Sequence, residues 1–262
     1  MPSLRPVTLV TGASTGIGAA LAHVFAENGH EVVLAARREP QLAAIANAIA
    51  AAGGTRPHIV AIDLGAPGAP GRLADALLER GLEPAIVVNN AGFGLLGAAA
   101  DLDRAEQLAM IDLNVRTLTN LSLRFVESLA RHRGGVLNVA SIAGFLPGPG
   151  MAVYHAGKAY VLSFSEALHR ELEPLGVRVS VLCPGPVRTE FQSRAGIPKG
   201  YFPRYLSRSA NRVARDGYKG FMQGRRVIVP GFPNRILTWL ARMTPGRIVL
   251  SVMDSRWRKA KA

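Results

Sequence analysis

Short runs of β-branched residues alternate along this chain with longer alanine-rich segments of helical period. Such alternation is typical of βαβ units, in which each helix carries the chain back across a parallel sheet. The predicted strands cover residues 7–10, 31–35, 58–62, 85–88, 136–139, 177–182 and 226–229. The predicted helices cover residues 17–28, 41–51, 71–80, 103–132, 151–173 and 209–222. This order predicts an α/β fold with a doubly wound, mainly parallel seven-stranded sheet and helices on both faces.

The size and composition of the chain fit one such domain. With 262 residues, of which 48% are apolar, the chain can bury the core that an α/β domain needs. We assign residues 1–231 to this domain and residues 232–262 to a basic amphipathic extension. Cys183 is the single cysteine, which excludes an intramolecular disulfide and favours a reducing, cytoplasmic compartment. The sequence shows neither a secretion signal nor a run of about 18 apolar residues.

The positive charge of the chain is concentrated in its last third. The formal charge is +13, yet residues 1–177 hold 13 basic and 15 acidic residues, whereas residues 178–262 hold 18 and 3. Such an asymmetry predicts an acidic partner, which could be a membrane surface, a phosphate-bearing substrate or a nucleic acid. No recognised nucleic-acid-binding module is visible, so a nucleic acid is not expected.

A glycine-rich turn joins the first predicted strand to the first predicted helix. Its sequence is Thr11-Gly12-Ala13-Ser14-Thr15-Gly16-Ile17-Gly18. Glycine lets backbone N–H groups approach a pyrophosphate at a helix N-terminus, so the turn predicts a dinucleotide cradle. The spacing is G-x-x-x-G-x-G, which does not strictly match the common G-x-G-x-x-G fingerprint. The same residues also fit G-x-S-x-G, in which Ser14 would be a hydrolase nucleophile.

From about residue 7 to residue 189 the motifs resemble those of the short-chain dehydrogenase/reductase family. After the T-G-x-x-x-G-x-G turn come Asp63, at the end of the third strand, and Asn89-Asn90-Ala91-Gly92, which follows the fourth. The resemblance implies a Rossmann-type fold, a nicotinamide cofactor, and assembly into dimers or tetramers. It assigns cofactor contacts to Gly12, Ser14, Thr15, Gly16, Ile17, Gly18, Asp63, Leu64, Asn90, Ala91 and Gly92.

Two arginines at the end of the second predicted strand favour NADP(H) as the cofactor. An acidic residue in this place would hydrogen-bond the ribose 2′-hydroxyl of NAD. The sequence instead has Arg37 and Arg38, and a guanidinium can bind a 2′-phosphate through two parallel hydrogen bonds. The alternative is that both arginines are solvated surface residues.

Tyr154 and Lys158 are four residues apart on one predicted helix, so both side chains can reach one site. They match the family's Y-x-x-x-K pair. A tyrosine, with a reference pKa of about 10, needs a nearby cation to exchange protons near neutral pH, and Lys158 can supply it. By the resemblance, Lys158 also holds the nicotinamide ribose, Ser141 holds the substrate oxygen and Asn114 supports a proton relay.

The residues after the sixth predicted strand resemble the loop that lies over the nicotinamide in this family. The loop residues assigned to the cofactor are Pro184, Gly185, Val187 and Thr189. The segment 190–222 would then cover the substrate. Its aromatic residues suit a lipophilic ketone or a 3-oxoacyl-type substrate, and they are Phe191, Tyr201, Phe202 and Tyr205. His155 departs from the small residue often found after the tyrosine.

About thirty residues follow the seventh predicted strand, where many family members end. A helix capped by Asn234 is expected over residues 234–243. One face of it would carry Ile236, Leu237, Leu240 and Met243, with Arg235 and Arg242 outside that face. The extension could be a membrane-surface element, a dimer interface or a lid over the protein's own cleft.

Together these residues predict an NADP(H)-dependent oxidoreductase that transfers a hydride between nicotinamide and a carbonyl or secondary alcohol, with Tyr154 as the acid/base. A non-catalytic NADP-binding regulator or scaffold is the main alternative, because a fold does not dictate a function. A serine hydrolase is disfavoured, since it leaves several matches unexplained, namely Gly18, Asn90, Tyr154 and Lys158. The histidines lack metal-ligand spacing, so no metal site is predicted.

Overall fold

A computed structural model of the protein describes residues 4–198 and 200–261, except for the side chains of residues 256 and 259–261. All seven predicted strands are present, and their ends lie within three residues of the predicted ones. The strands are β1 (Arg5–Thr11), β2 (Val32–Ala36), β3 (His58–Ala61), β4 (Leu82–Asn89), β5 (Gly135–Val139), β6 (Arg178–Leu182) and β7 (Val227–Ile228).

The helices follow the predicted order, with one division that was not expected. They are α1 (Gly16–Glu27), α2 (Glu39–Ala51), α3 (Ala69–Leu78), α4 (Arg104–Ile111), α5 (Leu118–Arg124), α6 (Val126–Arg131), α7 (Ala152–Leu172), α8 (Glu190–Arg194), α9 (Ala210–Met222), α10 (Phe232–Met243) and α11 (Gly246–Lys261). The single helix predicted over residues 103–132 is wrong. A π-helical segment, Asp112–Thr117, separates α4 from α5, and Phe125 leaves helical geometry between α5 and α6.

The sheet has the strand order β3-β2-β1-β4-β5-β6-β7, and every neighbouring pair is parallel. The predicted doubly wound α/β fold is therefore confirmed. The chain winds outward from β1 in one direction and then from β4 in the other. Such a reversal opens a crevice at the carboxyl ends of β1 and β4, where α/β sheets bind their ligands.

Helices cover both faces of the sheet, and each face has its own apolar core. On one face Phe25 of α1, Leu42 of α2 and Phe221 of α9 are fully buried. On the other face Leu73 of α3 and Leu168 of α7 pack against the strands. The strands are buried from both sides, which explains why their sequences read as continuous β-branched runs instead of alternating patterns.

Helix α10 begins at Phe232, two residues before the predicted start, and Asn234 does not cap it. Gly231 is the N-cap of α10, and Pro233 lies in its first turn, where a fixed φ favours helix initiation. Asn234 is buried instead, and its Nδ2 donates to the carbonyl oxygens of Pro230 at 2.9 Å and Leu206 at 3.3 Å. None of the helices that the structure describes is long and apolar enough to cross a membrane.

Candidate active site

The residues expected from the sequence to bind cofactor come together around one cavity of about 870 Å³ at the carboxyl edge of the sheet. The turns after six strands contribute to its wall, together with α7. The predicted residues in the wall are Gly12, Ser14, Thr15, Gly16, Ile17, Arg37, Arg38, Asp63, Leu64, Asn90, Ala91, Gly92, Ser141, Tyr154, Lys158, Pro184, Gly185, Val187 and Thr189. Two further predicted residues, Gly18 and Asn114, are not part of the wall.

The glycine-rich turn has the geometry of a phosphate cradle. Gly12 and Gly16 have φ values of 63° and 61°, a region in which other residues are strained. The Thr15 side chain, at the N-cap of α1, makes no capping hydrogen bond. Gly16 and Ile17, the first residues of this helix, line the cavity. No capping side chain occupies the N–H groups of the first turn, as an anion site at a helix N-terminus requires.

Gly18 supports the cradle from behind. A Cβ atom here would overlap the carbonyl oxygen of Gly12 and the Nδ2 of Asn90. This Nδ2 donates to the carbonyl oxygens of Thr11 at 2.9 Å and Gly12 at 3.1 Å. The asparagine thus ties the turn after β1 to the turn after β4, and only glycine lets the two approach so closely.

We expect Gly18→Ala to lower both the stability of the protein and its affinity for dinucleotide. Backbone atoms of the Gly12 turn would have to move, which costs about 1–3 kcal/mol for an overpacked site. Gly71→Ala in α3 is the matched control, because a Cβ there meets nothing within 4 Å and should be neutral or stabilising by about 0.5–1 kcal/mol. Urea unfolding and cofactor titration measure both effects; equal behaviour of the two variants would contradict the packing role.

The two arginines after β2 differ in their surroundings. Arg38 Nη2 is 2.9 Å from Glu190 Oε2 of α8 and donates to Ser14 Oγ at 3.3 Å. Arg37 is exposed at the rim of the cavity and makes no hydrogen bond or ion pair with the residues that the structure describes. Of the pair, Arg37 has the guanidinium free to meet an anion.

A third arginine at this end of the cavity was missed from the sequence. The guanidinium of Arg194, in α8, lies 4.7 Å from the centre of the Phe93 ring. Its pKa is lowered, chiefly by burial and then by the positive charges of Arg37 and Arg38. The excess of basic residues after residue 178 was the available signal, but only the fold shows that α8 reaches across to β2.

Tyr154 and Ser141 meet in the middle of the cavity, on α7 and after β5. Burial raises the pKa of Tyr154 to about 12, and a hydrogen bond with Ser141 opposes the rise. Ser141 Oγ also accepts from the Ala143 N–H at 3.1 Å, which fixes its position at the end of the sheet. The phenol therefore holds its proton at neutral pH and can donate it to an oxygen bound between these two hydroxyls.

Lys158 lies one helical turn after Tyr154, with its ammonium nitrogen 5.8 Å from the tyrosine ring centre. The nitrogen donates to the carbonyl oxygen of Val139 at 2.9 Å. Burial lowers the pKa of Lys158 to about 8, because the charged form loses its hydration. Ser141, and not Lys158, is the neighbour that opposes the rise in the tyrosine pKa.

Asn114 is buried in the π-helical segment between α4 and α5. Its Oδ1 accepts from the Phe93 N–H at 3.1 Å, and its Nδ2 donates to the Phe93 carbonyl oxygen at 2.8 Å. The wide π turn points this side chain toward the loop after β4, consistent with the tendency of such turns to occur at functional sites. A Cβ atom on Gly92 would come within 2.8 Å of its Oδ1.

The end of the cavity formed by the segment after β6 has apolar walls, although not all of the expected ones. Phe191, Tyr201 and Phe202 line it as predicted. Tyr205 does not, since 71% of its surface is exposed; the prediction that it lines the cleft is wrong. The lining part of segment 190–222 ends at Leu206, because α9 packs against α1 on a face of the sheet.

The extension forms part of the wall of the same cavity. The sequence had left open whether it is a membrane-surface element, a dimer interface or a lid. Leu237 of α10 and Val252 and Met253 of α11 belong to the wall. Trp257 of α11 rests on Gly150, just before α7, where a Cβ atom would overlap its indole ring. Helical periodicity grouped Leu237 with Ile236 and Leu240, which are exposed. It therefore did not predict that the Leu237 side chain points toward the cavity.

His155 also lines the cavity, directly after the tyrosine. Its Nδ1 is 2.8 Å from the Leu146 carbonyl oxygen, so this nitrogen carries the proton. Burial lowers the pKa of His155, which keeps the ring neutral. The residue adds a flat wall beside Tyr154 and no charge.

The hydrolase alternative finds no support in the site. Ser14 Oγ accepts from Arg38, and among the described residues no histidine hydrogen-bonds to it. A nucleophilic serine needs such a base. No group of three or more histidine, cysteine or acidic side chains within the described residues could hold a metal ion.

Comparisons with known proteins agree with this geometry. The family model described as short chain dehydrogenase matches residues 6–198. Sulfoacetaldehyde reductase 2 of Chromohalobacter salexigens is 36% identical over 191 residues, which are 72% of this chain and 75% of that protein.

Two solved structures illustrate the likeness in three dimensions. A short-chain dehydrogenase from Sphingobium yanoikuyae in complex with NADPH has a TM-score of 0.80 at 32% identity, over 89% of this chain and 92% of that one. A short-chain dehydrogenase/reductase from Burkholderia phymatum in complex with NAD has a TM-score of 0.79 at 25% identity, over 92% and 94%. This chain therefore belongs to the short-chain dehydrogenase/reductase family of oxidoreductases.

Proposed function

We propose that this chain is an NADP(H)-dependent reductase of a lipophilic ketone or 3-oxoacyl-type compound. The observation that carries the proposal is the convergence of Tyr154, Ser141 and Lys158 on the cavity that also contains the uncapped N-terminus of α1. The first three provide a proton donor, a hydrogen-bonding hydroxyl and a cation, and the helix end provides a phosphate site.

In this proposal each side chain has one task. The substrate oxygen would lie between the hydroxyls of Tyr154 and Ser141, which would hold it and orient the carbonyl. The bound nicotinamide supplies the hydride. Tyr154, protonated at neutral pH, would then donate its proton to the oxygen. The hydrogen bond from Ser141 would stabilise the phenolate that is left, and Lys158 would hold the ribose hydroxyls. Asn114 supports the path by which the proton is replaced.

The charge at the adenosine end favours the phosphorylated cofactor. Arg37, Arg38 and Arg194 line the cavity near the end of β2. Asp63, after β3, also lines it, and its negative charge acts on Arg194. A 2′-phosphate would relieve the mutual repulsion of the guanidiniums, whereas a free ribose hydroxyl would not. We therefore propose NADP(H), held by Arg37 first and by Arg38 once its pair with Glu190 opens.

Glu190→Gln should bind NADPH up to about fivefold more tightly, with NADH affinity unchanged. The ion pair of Arg38 with Glu190 is exposed, so breaking it costs about 0.2–1 kcal/mol. In wild type the binding of NADPH must offset this cost before Arg38 can contact the phosphate, whereas in the variant the pair is already absent. Glu173→Gln removes a comparable exposed pair with Arg170, remote from the site, and serves as control. Fluorescence titration of NADPH measures the difference; a weaker NADPH complex would show that Glu190 does not compete for Arg38.

The walls of the cavity support a lipophilic substrate. Phe191, Phe202 and Ile197 come from the segment after β6, and Leu237 and Met253 from the extension. Burial of an apolar group against such walls yields about 25 cal/mol per Å². A small anionic substrate would not gain this energy.

A substrate panel tests the proposal directly. We expect NADPH consumption with bulky ketones, β-ketoacyl thioesters or steroid ketones, and much slower consumption with a small anionic aldehyde. The opposite order would overturn the substrate class while leaving the reductase intact. Binding of NADPH without turnover of any compound would favour the non-catalytic regulator. Assembly into dimers or tetramers stays a prediction, which sedimentation velocity tests.

A further inference from the structure

The exposed face of α10 is apolar, and its buried face is partly polar. Phe232, Ile236, Trp239, Leu240 and Met243 share one side of the helix, with 70%, 43%, 63%, 46% and 67% of their surfaces exposed. The residues turned inward include Asn234 and Thr238, both buried. A helix that packs only on its own domain shows the reverse arrangement, because burial of the large apolar side chains stabilises it.

Exposed apolar residues continue into α11. Ile248, Leu250 and Val252 are each about half exposed or more. Half of the exposed large hydrophobic side chains among the described residues therefore lie within residues 232–252. Monomeric proteins rarely leave such a concentration in contact with water, so a partner is expected to cover it. We call the exposed side chains of residues 232–252 the apolar face.

Basic residues border the apolar face. Residues 232–262 contain seven basic residues and one acidic residue, Asp254. On α10, Arg235 is exposed beside the stripe, whereas Arg242 pairs with Glu166 at 3.6 Å and lies over the Phe145 ring. Arg247 is exposed in the first turn of α11. An exposed apolar stripe with a tryptophan and flanking arginines is the pattern of helices that lie in a membrane interface.

We propose that the apolar face of α10 and α11 docks on the surface of an anionic lipid bilayer. Charge complementarity decides between this partner and a second copy of the chain. A two-fold dimer joins the same patch of both subunits, so it would bring two strongly basic segments together. Anionic headgroups would instead neutralise Arg235 and Arg247, which form no ion pair with the described residues, while the acyl region receives Trp239 and its neighbours.

The position of the apolar face relative to the cavity adds a reason for such docking. Leu237, Val252 and Met253, from the same two helices, form part of the cavity wall. A bilayer that holds α10 and α11 would therefore lie next to the apolar end of the cavity, where a lipophilic compound dissolved in the membrane would enter. The docking itself adds a partner to the proposed function and does not depend on reductase activity.

Vesicle sedimentation of the full chain, without cofactor, tests the proposal. Vesicles of phosphatidylcholine alone are compared with vesicles of equal amounts of phosphatidylcholine and phosphatidylglycerol. Each is tested at about 0.1 M and at about 1 M salt, between which the Debye length falls from about 10 Å to about 3 Å. Each basic residue near an anionic surface contributes about fivefold to binding. We expect sedimentation with the anionic vesicles in low salt, and at least about tenfold weaker binding in the other mixtures.

Two double variants distinguish specific binding by the apolar face from nonspecific adsorption of exposed hydrophobic side chains to vesicles. Ile236→Ser with Trp239→Ser should bind the anionic vesicles at least about tenfold more weakly, because two exposed anchors are lost. Leu78→Ser with Leu175→Ser removes two comparably exposed leucines elsewhere and should bind like the wild type. Equal binding of both variants would overturn the proposal. The proposal would also be overturned if the wild type binds none of the vesicles and forms a dimer, and if the Ile236→Ser, Trp239→Ser variant is a monomer.

Discussion

Replacing Tyr154 with phenylalanine is expected to lower ketone turnover at least about 10²-fold, because proton transfer by a positioned side chain contributes about 10²–10⁴-fold. The substitution removes only the hydroxyl that is bonded to Ser141. The ring keeps its packing against Phe191, whose centre lies 5.5 Å away. Steady-state NADPH oxidation with the best ketone of the panel measures the loss.

The matched control is Tyr160→Phe, on the same helix. Tyr160 is exposed, and its hydroxyl is 3.0 Å from Thr119 Oγ1, away from the cavity wall. This variant should turn over like the wild type, and both variants should bind NADPH with unchanged affinity. If Tyr154→Phe keeps near-wild-type turnover, the tyrosine is not the proton donor. If it loses NADPH binding as well, the defect lies in the cofactor site.

Arg37→Asp is expected to shift the ratio of NADPH to NADH efficiency about 10- to 150-fold toward NADH. A hydrogen bond to a charged group contributes about 1.5–3 kcal/mol, and about 1.4 kcal/mol corresponds to a factor of ten. The new carboxylate also repels a 2′-phosphate and can accept from a ribose hydroxyl. The kcat/KM values for the two cofactors give the ratio.

An exposed arginine outside the cavity serves as the control for Arg37. Arg56 donates to Asn47 on the surface beside α2, and Arg56→Asp should leave the cofactor ratio unchanged while making the same charge change. An unchanged ratio in Arg37→Asp would show that this arginine is a solvated surface residue. In that case Arg38 and Arg194 would be the remaining candidates, among the described residues, for contact with the 2′-phosphate near β2.

The parts of the site that could be predicted from the sequence are those fixed by local motifs. A strand end places the next residues at the sheet edge, and parallel strands share that edge, so the turns containing Gly12, Asn90 and Ser141 had to meet. The spacing of Tyr154 and Lys158 on one helix needed no further information. For this reason the fold and most of the expected wall residues match the sequence prediction, whereas the helix over residues 103–132 and Tyr205 do not.

The parts that could not be predicted depend on packing between distant segments. Arg194 reaches the rim because α8 crosses toward β2, a contact with no local signature. Asn234 was predicted to be a helix cap. The helix instead begins before Pro233, and the Asn234 side chain is buried and bonded to backbone carbonyl oxygens. Periodicity finds an apolar stripe on α10, yet it cannot tell whether the stripe faces the protein or the solvent.

The pKa shifts of Tyr154 and Lys158 differ from those expected from the sequence, because both side chains are buried. The sequence predicted that Lys158 would lower the pKa of Tyr154. Both groups lie in the interior, where loss of hydration raises the pKa of the tyrosine and lowers that of the lysine. A neutral phenol is the form that can donate a proton, as the proposed reduction requires of Tyr154.

The most direct test of the central claim follows the transferred hydrogen. NADPH deuterated at the transferred position is incubated with the best ketone of the panel, and the product is analysed by mass spectrometry. If the chain transfers a hydride to the carbonyl carbon, the alcohol carries one deuterium, and its formation is at least about 10²-fold slower with Tyr154→Phe. An alcohol without deuterium, or bound NADPH that no ketone consumes, would contradict the account.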